Sequence, residues 1–391
     1  MSRVPLYLAQ FATGMAAVSL GPLLDSILRD LGIPLAQGGV PATAFFLGTP
    51  LGILVVNVFL ARVPVKWCLV GGALVLSAGL AAAGLLSRGL WSFCIAYFFV
   101  GFASVMFSLI PGMWIAAHVR DKTAWALNLI MLSCVFAMIV TPLCWGALIQ
   151  WGVTWRWVLT GEACFAVLLA LVLAVFPLAD IPGRENLRLR HVREVVAFNP
   201  RLVAAMMAAG FMYTGAEAIL TTWLPKFEVD VFGAGGAWAG MVVTLYFVGQ
   251  LIGRSAMSTL IRRFLPSTML VGFAIVMAVF VGATAAAPSQ GASLALMLFA
   301  GLGASASVSQ IGSYSSRFPN WHAGVVFSAF QIAAGLGASL FPYMTGPVAE
   351  GLGFRAAIAV AVIPAVILAL LALCLRRVSG EAKAPEGQAA S

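Results

Sequence analysis

Long apolar segments alternate with short polar connections along most of this chain. The apolar segments are about twenty residues long, the length that an α-helix needs to cross about 30 Å of hydrocarbon. Glycine, proline or clustered charge separates them, as in the stretch 62–66. The pattern predicts twelve transmembrane helices, near residues 6–28, 41–61, 67–87, 91–117, 124–149, 156–178, 201–225, 237–260, 267–287, 291–315, 322–347 and 355–375.

The amino-acid composition also favours the bilayer over water as the solvent. Of the 391 residues, 62% are hydrophobic and 9% are charged, whereas about 25% of a soluble protein's residues are charged. The six cysteines lie in apolar segments and lack metal-ligand or redox spacing. The glycine-rich runs follow no strand and precede no Lys-Ser/Thr pair, so they are not phosphate loops. We expect a membrane protein that is not an enzyme and needs neither cofactor nor metal.

The distribution of basic residues predicts how the chain is oriented. Most of the 22 lysines and arginines fall in alternate connections, on the same side as both termini. Basic residues favour the cytoplasmic side, so we expect both termini in the cytoplasm of a bacterium, with the chain in the inner membrane. The net charge of +9 is then explained by topology and by anionic lipid, and nucleic acid is not an expected partner.

A long polar stretch rich in arginine divides the chain into two halves. The predicted parts are an N-terminal six-helix bundle 1–179, a cytoplasmic basic linker 180–200, a C-terminal six-helix bundle 201–377, and a disordered cytoplasmic tail 378–391. The halves share spaced motifs, which read Gly48-x3-Gly52-x9-Arg62 and Gly249-x3-Gly253-x9-Arg263, then Pro142-x3-Gly146 and Pro342-x3-Gly346. Such a duplication suits a transporter whose two halves rock around a central site.

These features resemble the major facilitator superfamily over essentially the whole chain. The family's loop motif reads Gly-x3-Asp-Arg-x-Gly-Arg-Arg. This sequence departs from it with Ala61 at the acidic position and Pro64 near the glycine. The resemblance implies an all-α membrane fold of two pseudo-symmetric bundles. It also implies a gating role for basic residues at or near the motif positions, namely Arg62, Lys66, Arg254 and Arg263.

Glu217 is the strongest candidate for the chemistry, because it lies inside the seventh predicted span. Tyr213 and Thr221 share its helical face at i−4 and i+4. The run 213–217, followed by Trp-Leu-Pro, resembles the seventh helix of the fucose:proton symporters and related glucose transporters. An isolated carboxylate in a membrane is costly unless it is paired or protonated. We therefore expect Glu217 to bind substrate and to couple transport to protons; the alternative is a structural carboxyl bonded to a neighbouring helix.

Two other carboxyls lie in or near predicted spans. Asp25 occurs in the first span, where the sugar symporters carry an essential acid, although Asp25 lies about one turn closer to the outer surface. We predict a proton-coupling role for it, with a simple pair to Arg29 at i+4 as the alternative. Glu162 lies near the outer end of the sixth span, and we predict a structural ion pair or an interfacial anchor.

Uncharged polar residues inside the spans complete the predicted substrate site. Amides and phenols provide paired donors and acceptors for a polar ligand. The candidates are Asn128, Tyr246, Gln250, Gln310 and Gln331, together with Tyr213 and Glu217. Each could instead serve as an interhelical hydrogen bond.

The sequence therefore favours a secondary transporter that imports a small polar solute, sugar-like by resemblance, by alternating access. The expected partners are the solute, a proton or a sodium ion, and the lipid bilayer, with the chain acting as a monomer. The alternative is a proton-antiporting exporter of drugs or metabolites. The glycine-proline run that exporters of the superfamily carry in helix five is replaced here by residues 138–146, which favours import.

Overall fold

The computed structural model describes residues 4–380, apart from 61, 120–122, 182–193, 196, 261–262 and 306. Within these residues all regular structure is helical. The helices are α1 (Val4–Val18), α2 (Leu20–Asp30), α3 (Val40–Phe59), α4 (Val65–Ala81), α5 (Leu90–His118), α6 (Thr123–Gln150), α7 (Trp155–Val175), α8 (Pro200–Phe232), α9 (Gly236–Leu260), α10 (Pro266–Ala285), α11 (Gln290–Ala304), α12 (Ser307–Ser313), α13 (Asn320–Leu352), α14 (Phe354–Ala359) and α15 (Val362–Val378).

The twelve predicted spans are confirmed. Eleven described helical segments are long and apolar enough to cross a membrane, and the bent pair α1–α2 makes a twelfth. The seventh span is longer than predicted, because α8 continues to Phe232 instead of ending near residue 225. It ends at Gly233, whose left-handed backbone (φ 67°) turns the chain so that the N–H of Ala234 donates back to the Glu228 carbonyl at 3.2 Å.

The first span bends by 46° between α1 and α2. Ser19 lies at the break, and its hydroxyl donates to the carbonyl of Met15 at 2.7 Å. Such back-bonding by serine bends helices, and Pro22 in the next turn cannot donate a backbone hydrogen bond. The local sequence therefore explains the bend, which tilts α2 toward α8 of the other half.

Helices α1–α7 form one bundle and α8–α15 form the other, and equivalent glycines mark equivalent helix crossings. A Cβ on Gly48 would lie 2.3 Å from the carbonyl oxygen of Phe98, so α3 and α5 touch backbone to backbone. Gly249 meets the carbonyl of Leu298 in the same way, at 2.0 Å, where α9 crosses α11. The repeat predicted from the sequence therefore corresponds to a repeated packing contact.

The two bundles meet through α2 with α8, α3 with α13, and α6 with α9. Here too the contacts are paired. A Cβ on Gly39 would lie 2.0 Å from the Pro342 carbonyl oxygen, and one on Gly240 would lie 2.0 Å from that of Pro142. We call this side of the molecule the contact face; it carries the connections 31–39, 151–154, 233–235 and residue 353. The opposite side, where the first span begins at Val4, the sixth ends at Val175 and the last ends at Val378, is the linker face.

Much of the predicted linker and nearly all of the predicted tail lie outside the described residues. At the start of the linker, the Asp180 carboxylate accepts a hydrogen bond of 2.8 Å from the backbone N–H of Val65, at the beginning of α4. A carboxylate at a helix N-terminus is favourable, because it meets unpaired N–H groups and the positive end of the helix dipole.

Candidate functional site

A cavity of about 260 Å³ lies between the two bundles, near the middle of the spans. Its wall is built from both halves: α1, α3, α5 and α6 on one side, and α8, α9, α12 and α13 on the other. Most of the wall is apolar, with the aromatic rings of Phe45, Phe46 and Phe247 among its residues. Glu217 is the only ionisable side chain among the described residues of the wall.

Two donors from neighbouring side chains fix one oxygen of Glu217. The phenol of Tyr213 donates to Oε1 at 3.1 Å, and Nε2 of Gln250 donates to the same oxygen at 2.5 Å. Tyr213 reaches it because residues four apart lie on one face of α8. Gln250 comes from α9, so the pair also ties the seventh and eighth spans together.

The second oxygen of Glu217, Oε2, accepts no hydrogen bond of good geometry from a described residue, although the Tyr246 hydroxyl lies near the carboxyl. Behind the carboxyl, the Arg254 guanidinium donates to Oε1 of Gln250 at 3.2 Å. The Arg254 charge thus reaches Glu217 through one intervening amide. Because Oε1 already accepts two hydrogen bonds, a proton or a ligand donor is directed to Oε2.

The predicted substrate residues divide into a cavity wall and a layer behind it. Glu217 and Gln331 line the cavity. Tyr213, Gln250 and Tyr246 are buried behind Glu217, and the Tyr246 hydroxyl has no hydrogen-bond partner of good geometry. Gln310 is buried as well, and its Oε1 accepts no hydrogen bond from a described residue.

The side chain of Asn128 lies outside the described part of the chain. The placement of the buried residues suits support of Glu217 better than direct contact with a ligand. Their predicted contact with substrate stays a prediction.

Asp25 lies at the contact face, away from the cavity wall. Its carboxylate pairs with Arg29 at 2.9 Å, which is the pair predicted from the i+4 spacing. It also pairs with Lys226 of α8 at 2.7 Å. Lys226 is 8% exposed, and it pairs a second time with Asp230 at 3.1 Å. We call the Asp25–Lys226 contact the cross-bundle ion pair, since it joins the two halves.

The sequence profile of the Major Facilitator Superfamily matches residues 6–240 and 232–391. The chain belongs to the Major Facilitator Superfamily. It is therefore a transporter and not an enzyme, as the sequence predicted. Residues 201 positions apart, such as Gly39 and Gly240, make equivalent contacts because the superfamily fold consists of two related bundles.

Known members of the superfamily that resemble this chain are distant from it in sequence and close to it in fold. A TsgA homolog from Erwinia tasmaniensis is 24% identical over 359 residues, covering 89% of this chain and 87% of that protein. A solved bacterial homolog of the human lysosomal transporter Spinster, in an inward-facing conformation, gives a TM-score of 0.78 at 15% identity, with 98% of each chain covered.

Two proton symporters of sugars also share the fold. The D-xylose-proton symporter gives a TM-score of 0.75 at 16% identity, covering 95% of this chain and 96% of its own. The fucose:proton symporter of E. coli gives 0.65 at 16% identity, covering 95% and 98%. The expected resemblance to these symporters is confirmed at the level of the fold.

The predicted gating residues of this superfamily member lie on the linker-face side of the cavity. Arg62 and Arg263 are exposed in the connections after α3 and α9, at matching places in the two halves. Lys66 is half-buried, with its ammonium 6.0 Å from the ring centroid of Trp67. Arg254 differs from these three, because its hydrogen bond to Gln250 ties it to the Glu217 cluster.

Glu162 is buried rather than interfacial and forms no ion pair with a described residue, so that prediction was wrong. It is 1% exposed and contacts the hydroxyl of Ser19 at the bend of the first span. The indole of Trp145 donates to its Oε1 at 2.5 Å. Arg156, about one and a half turns earlier in the same helix, pairs with Asp30 at 2.9 Å. Glu162 therefore holds the bend of the first span from inside the N-terminal bundle.

Sequence reasoning missed Lys226 and Glu228 altogether. Both lie beyond residue 225, where the seventh span was expected to end, so their charges were attributed to a connection. Glu228 is fully buried and contacts the hydroxyl of Ser293. The glycine at 233 was the available signal that α8 continues past Pro225, because glycine is the common residue just after a helix C-terminus.

Proposed function

We propose that this protein is a secondary transporter that imports a small polar solute together with protons, and that Glu217 carries the coupling. Resemblance to the fucose and xylose symporters by itself favours a sugar-like solute, but the polar groups of the cavity wall decide the solute class. The observation that supports the coupling most directly is the placement of Glu217. It is the sole ionisable group among the described residues of the cavity wall, and one oxygen is held while the other is open.

The two protonation states of Glu217 offer different hydrogen bonds to a ligand. The carboxylate accepts at Oε2, whereas the carboxylic acid can donate from Oε2. A solute that hydrogen-bonds with one state better than the other links its own binding to that of the proton, and the linkage is reciprocal. Tyr213, Gln250 and Arg254 stabilise the carboxylate, so that it can exist beside an apolar cavity before a proton arrives.

Alternating access requires the contact face to open and the linker face to close. With the positive-inside orientation, the contact face is external, and the described contacts between the halves hold that side shut. The cross-bundle ion pair must break in the outward-open state. Asp25 then acts in opening the outer side, and proton coupling is the alternative role proposed for the same residue.

Glu217→Gln tests the coupling, because the amide imitates a carboxyl that is permanently neutral. In proteoliposomes we expect the variant to lose accumulation driven by a pH gradient but to keep counterflow exchange of solute. Repeating both assays with potassium in place of sodium shows whether a sodium gradient or a proton gradient drives the accumulation. Full gradient-driven accumulation by Glu217→Gln would contradict the coupling role.

Glu228→Gln is the matched control. It changes a buried carboxyl on the same helix to an amide, but at a side chain that bonds Ser293 and does not line the cavity. We expect it to retain both accumulation and counterflow. Equal loss in the two variants would show that α8 tolerates no such change, and the coupling role would then have no support.

Proton antiport by an exporter is the second candidate, favoured by the apolar character of the wall. The direction of proton movement separates the two. Solute added outside lightly buffered proteoliposomes should make the medium more alkaline if solute and protons move together. It should make the medium more acidic if they exchange, and that result would replace import by symport with export by antiport.

A further inference from the structure

The cavity wall has few polar groups that are available to a ligand. Hydroxyls on the wall mostly donate to backbone carbonyls of the protein itself; these belong to Thr13, Thr49, Ser104, Thr214 and Thr221. Among the described wall residues, Ser108 Oγ, the Gln331 amide and Oε2 of Glu217 carry no hydrogen bond. A ligand thus meets three polar groups that carry no hydrogen bond, and the other wall hydroxyls can only accept one from it, because their own hydrogens are already donated.

The rest of the wall favours contact with an apolar body. Phe45 and Phe46 pack edge to face, with ring centroids 5.1 Å apart, and Met138 of α6 and Phe247 of α9 also line the wall. The volume of about 260 Å³ is small, since ligand pockets commonly measure about 300–1,000 Å³. The site therefore suits one compact ring system.

Charge on the wall limits the ligand further. The described wall has no lysine, arginine or histidine, so an anion would face the Glu217 carboxyl without a counter-charge. A cationic ligand is not required to neutralise Glu217 either. The Arg254 charge already stabilises the carboxylate through Gln250, and a bound proton neutralises it. The electrostatics favour an uncharged ligand.

We propose that the transported solute is an uncharged, compact ring compound with a largely apolar body and few polar groups, rather than a polyhydroxylated sugar or a carboxylate. A pyranose carries a hydroxyl on most of its ring carbons. Several of these would be buried against aromatic and aliphatic side chains without a partner, and each unpaired group lowers affinity. The inference rests on the proposed transport function and names the solute class for the same site.

Protection of a cavity cysteine measures binding without relying on membrane permeation. Ala17 lines the cavity and is half-buried, so Ala17→Cys is placed in a chain whose six natural cysteines are replaced by serine or alanine. The rate of maleimide labelling in detergent is then measured in the presence of each test compound. The compounds are uncharged rings (benzamide, nicotinamide, thymine), sugars (xylose, glucose), an anion (benzoate) and a cation (benzylamine). We expect at least one uncharged ring compound to halve the rate at a concentration at least tenfold below that of any sugar or of benzoate.

Several outcomes would overturn the inference. One is that a sugar, benzoate or benzylamine protects the cysteine more strongly than the uncharged ring compounds do. Another is that no compound protects the cysteine although it still reacts with maleimide. Gln331→Leu and Ser108→Ala should each weaken protection by the uncharged rings at least threefold. Unchanged protection in both variants would mean mere partition into apolar space and would also reject the proposal.

The proposed function is tested separately. Suppose that a sugar protects the cysteine, that a pH gradient drives its accumulation, and that Glu217→Gln abolishes this accumulation. Proton symport is then supported, and only the proposed solute class is rejected. If uncharged rings protect but no pH gradient drives their uptake, the solute class stands and the symport proposal falls.

Discussion

Replacing Lys226 should favour the conformation in which the contact face is open. The size of the shift depends on which contacts of Lys226 cross between the bundles. Lys226 bonds Asp25 of the other half at 2.7 Å and Asp230 of its own helix at 3.1 Å. Only the first contact is lost when the halves separate, so only it biases the conformational equilibrium. Arg29, which is 72% exposed, remains beside Asp25 in both conformations and contributes little.

A charged hydrogen bond of this kind contributes about 1.5–3 kcal/mol. Because about 1.4 kcal/mol corresponds to a factor of ten, Lys226→Met should shift the ratio of open to closed contact face by roughly 10- to 150-fold. Spin labels at Trp151 and Leu352, which are exposed in opposite halves at this face, report the separation. We expect the population at long distance to rise in Lys226→Met.

Two further variants determine whether the ion pair itself is responsible. Arg29→Met removes a charge beside the same carboxylate without breaking a contact between halves, and it should leave the distance distribution nearly unchanged. Asp25→Asn combined with Lys226→Met should open the face no further than the larger single change, since both remove one interaction. Independent, additive effects of the two changes, or no shift in Lys226→Met, would refute the reasoning.

Two other predictions concern packing and buried polar groups. Gly39→Ala should force the halves apart, because its Cβ would lie 2.0 Å from the Pro342 carbonyl oxygen; Gly71→Ala, with nothing within 4 Å, is its control, and the same spin-label distances measure both. Glu162→Ala should lower the free energy of unfolding by about 1–3 kcal/mol, because it leaves the Trp145 indole N–H buried with a poorer set of acceptors. Glu162→Gln, which keeps an acceptor oxygen, should unfold in detergent near the temperature of the parent, and equal loss in both variants would contradict this reasoning.

The span pattern and the duplication were predictable because the bilayer imposes them locally. Every span needs about twenty apolar residues whatever it packs against. The repeated glycines were visible for a similar reason, since backbone contact excludes any larger residue at Gly48 and Gly249. Glu217 could be recognised because a carboxyl inside an apolar run requires a specific partner or a function.

The partners of the charged residues could not be predicted from the sequence. Asp25 and Lys226 are 201 residues apart and belong to different bundles. The i+4 rule identified Arg29 correctly, but it cannot detect a lysine brought in by α8. The same rule linked Glu217 with Tyr213, while Gln250 from α9 makes the shorter hydrogen bond. Local periodicity describes one helix surface and carries no information about which helix faces it.

The sequence by itself determined that this protein is a duplicated, twelve-span transporter with one prominent carboxyl in its seventh span. The free energy of placing each segment in hydrocarbon depends on that segment's own residues, so a linear pattern contains it. Tertiary structure alone decided which polar groups line the cavity, which support Glu217 from behind, and which side of the molecule is shut. Those features depend on the relative placement of helices from two bundles, and packing across the bundle interface fixes that placement.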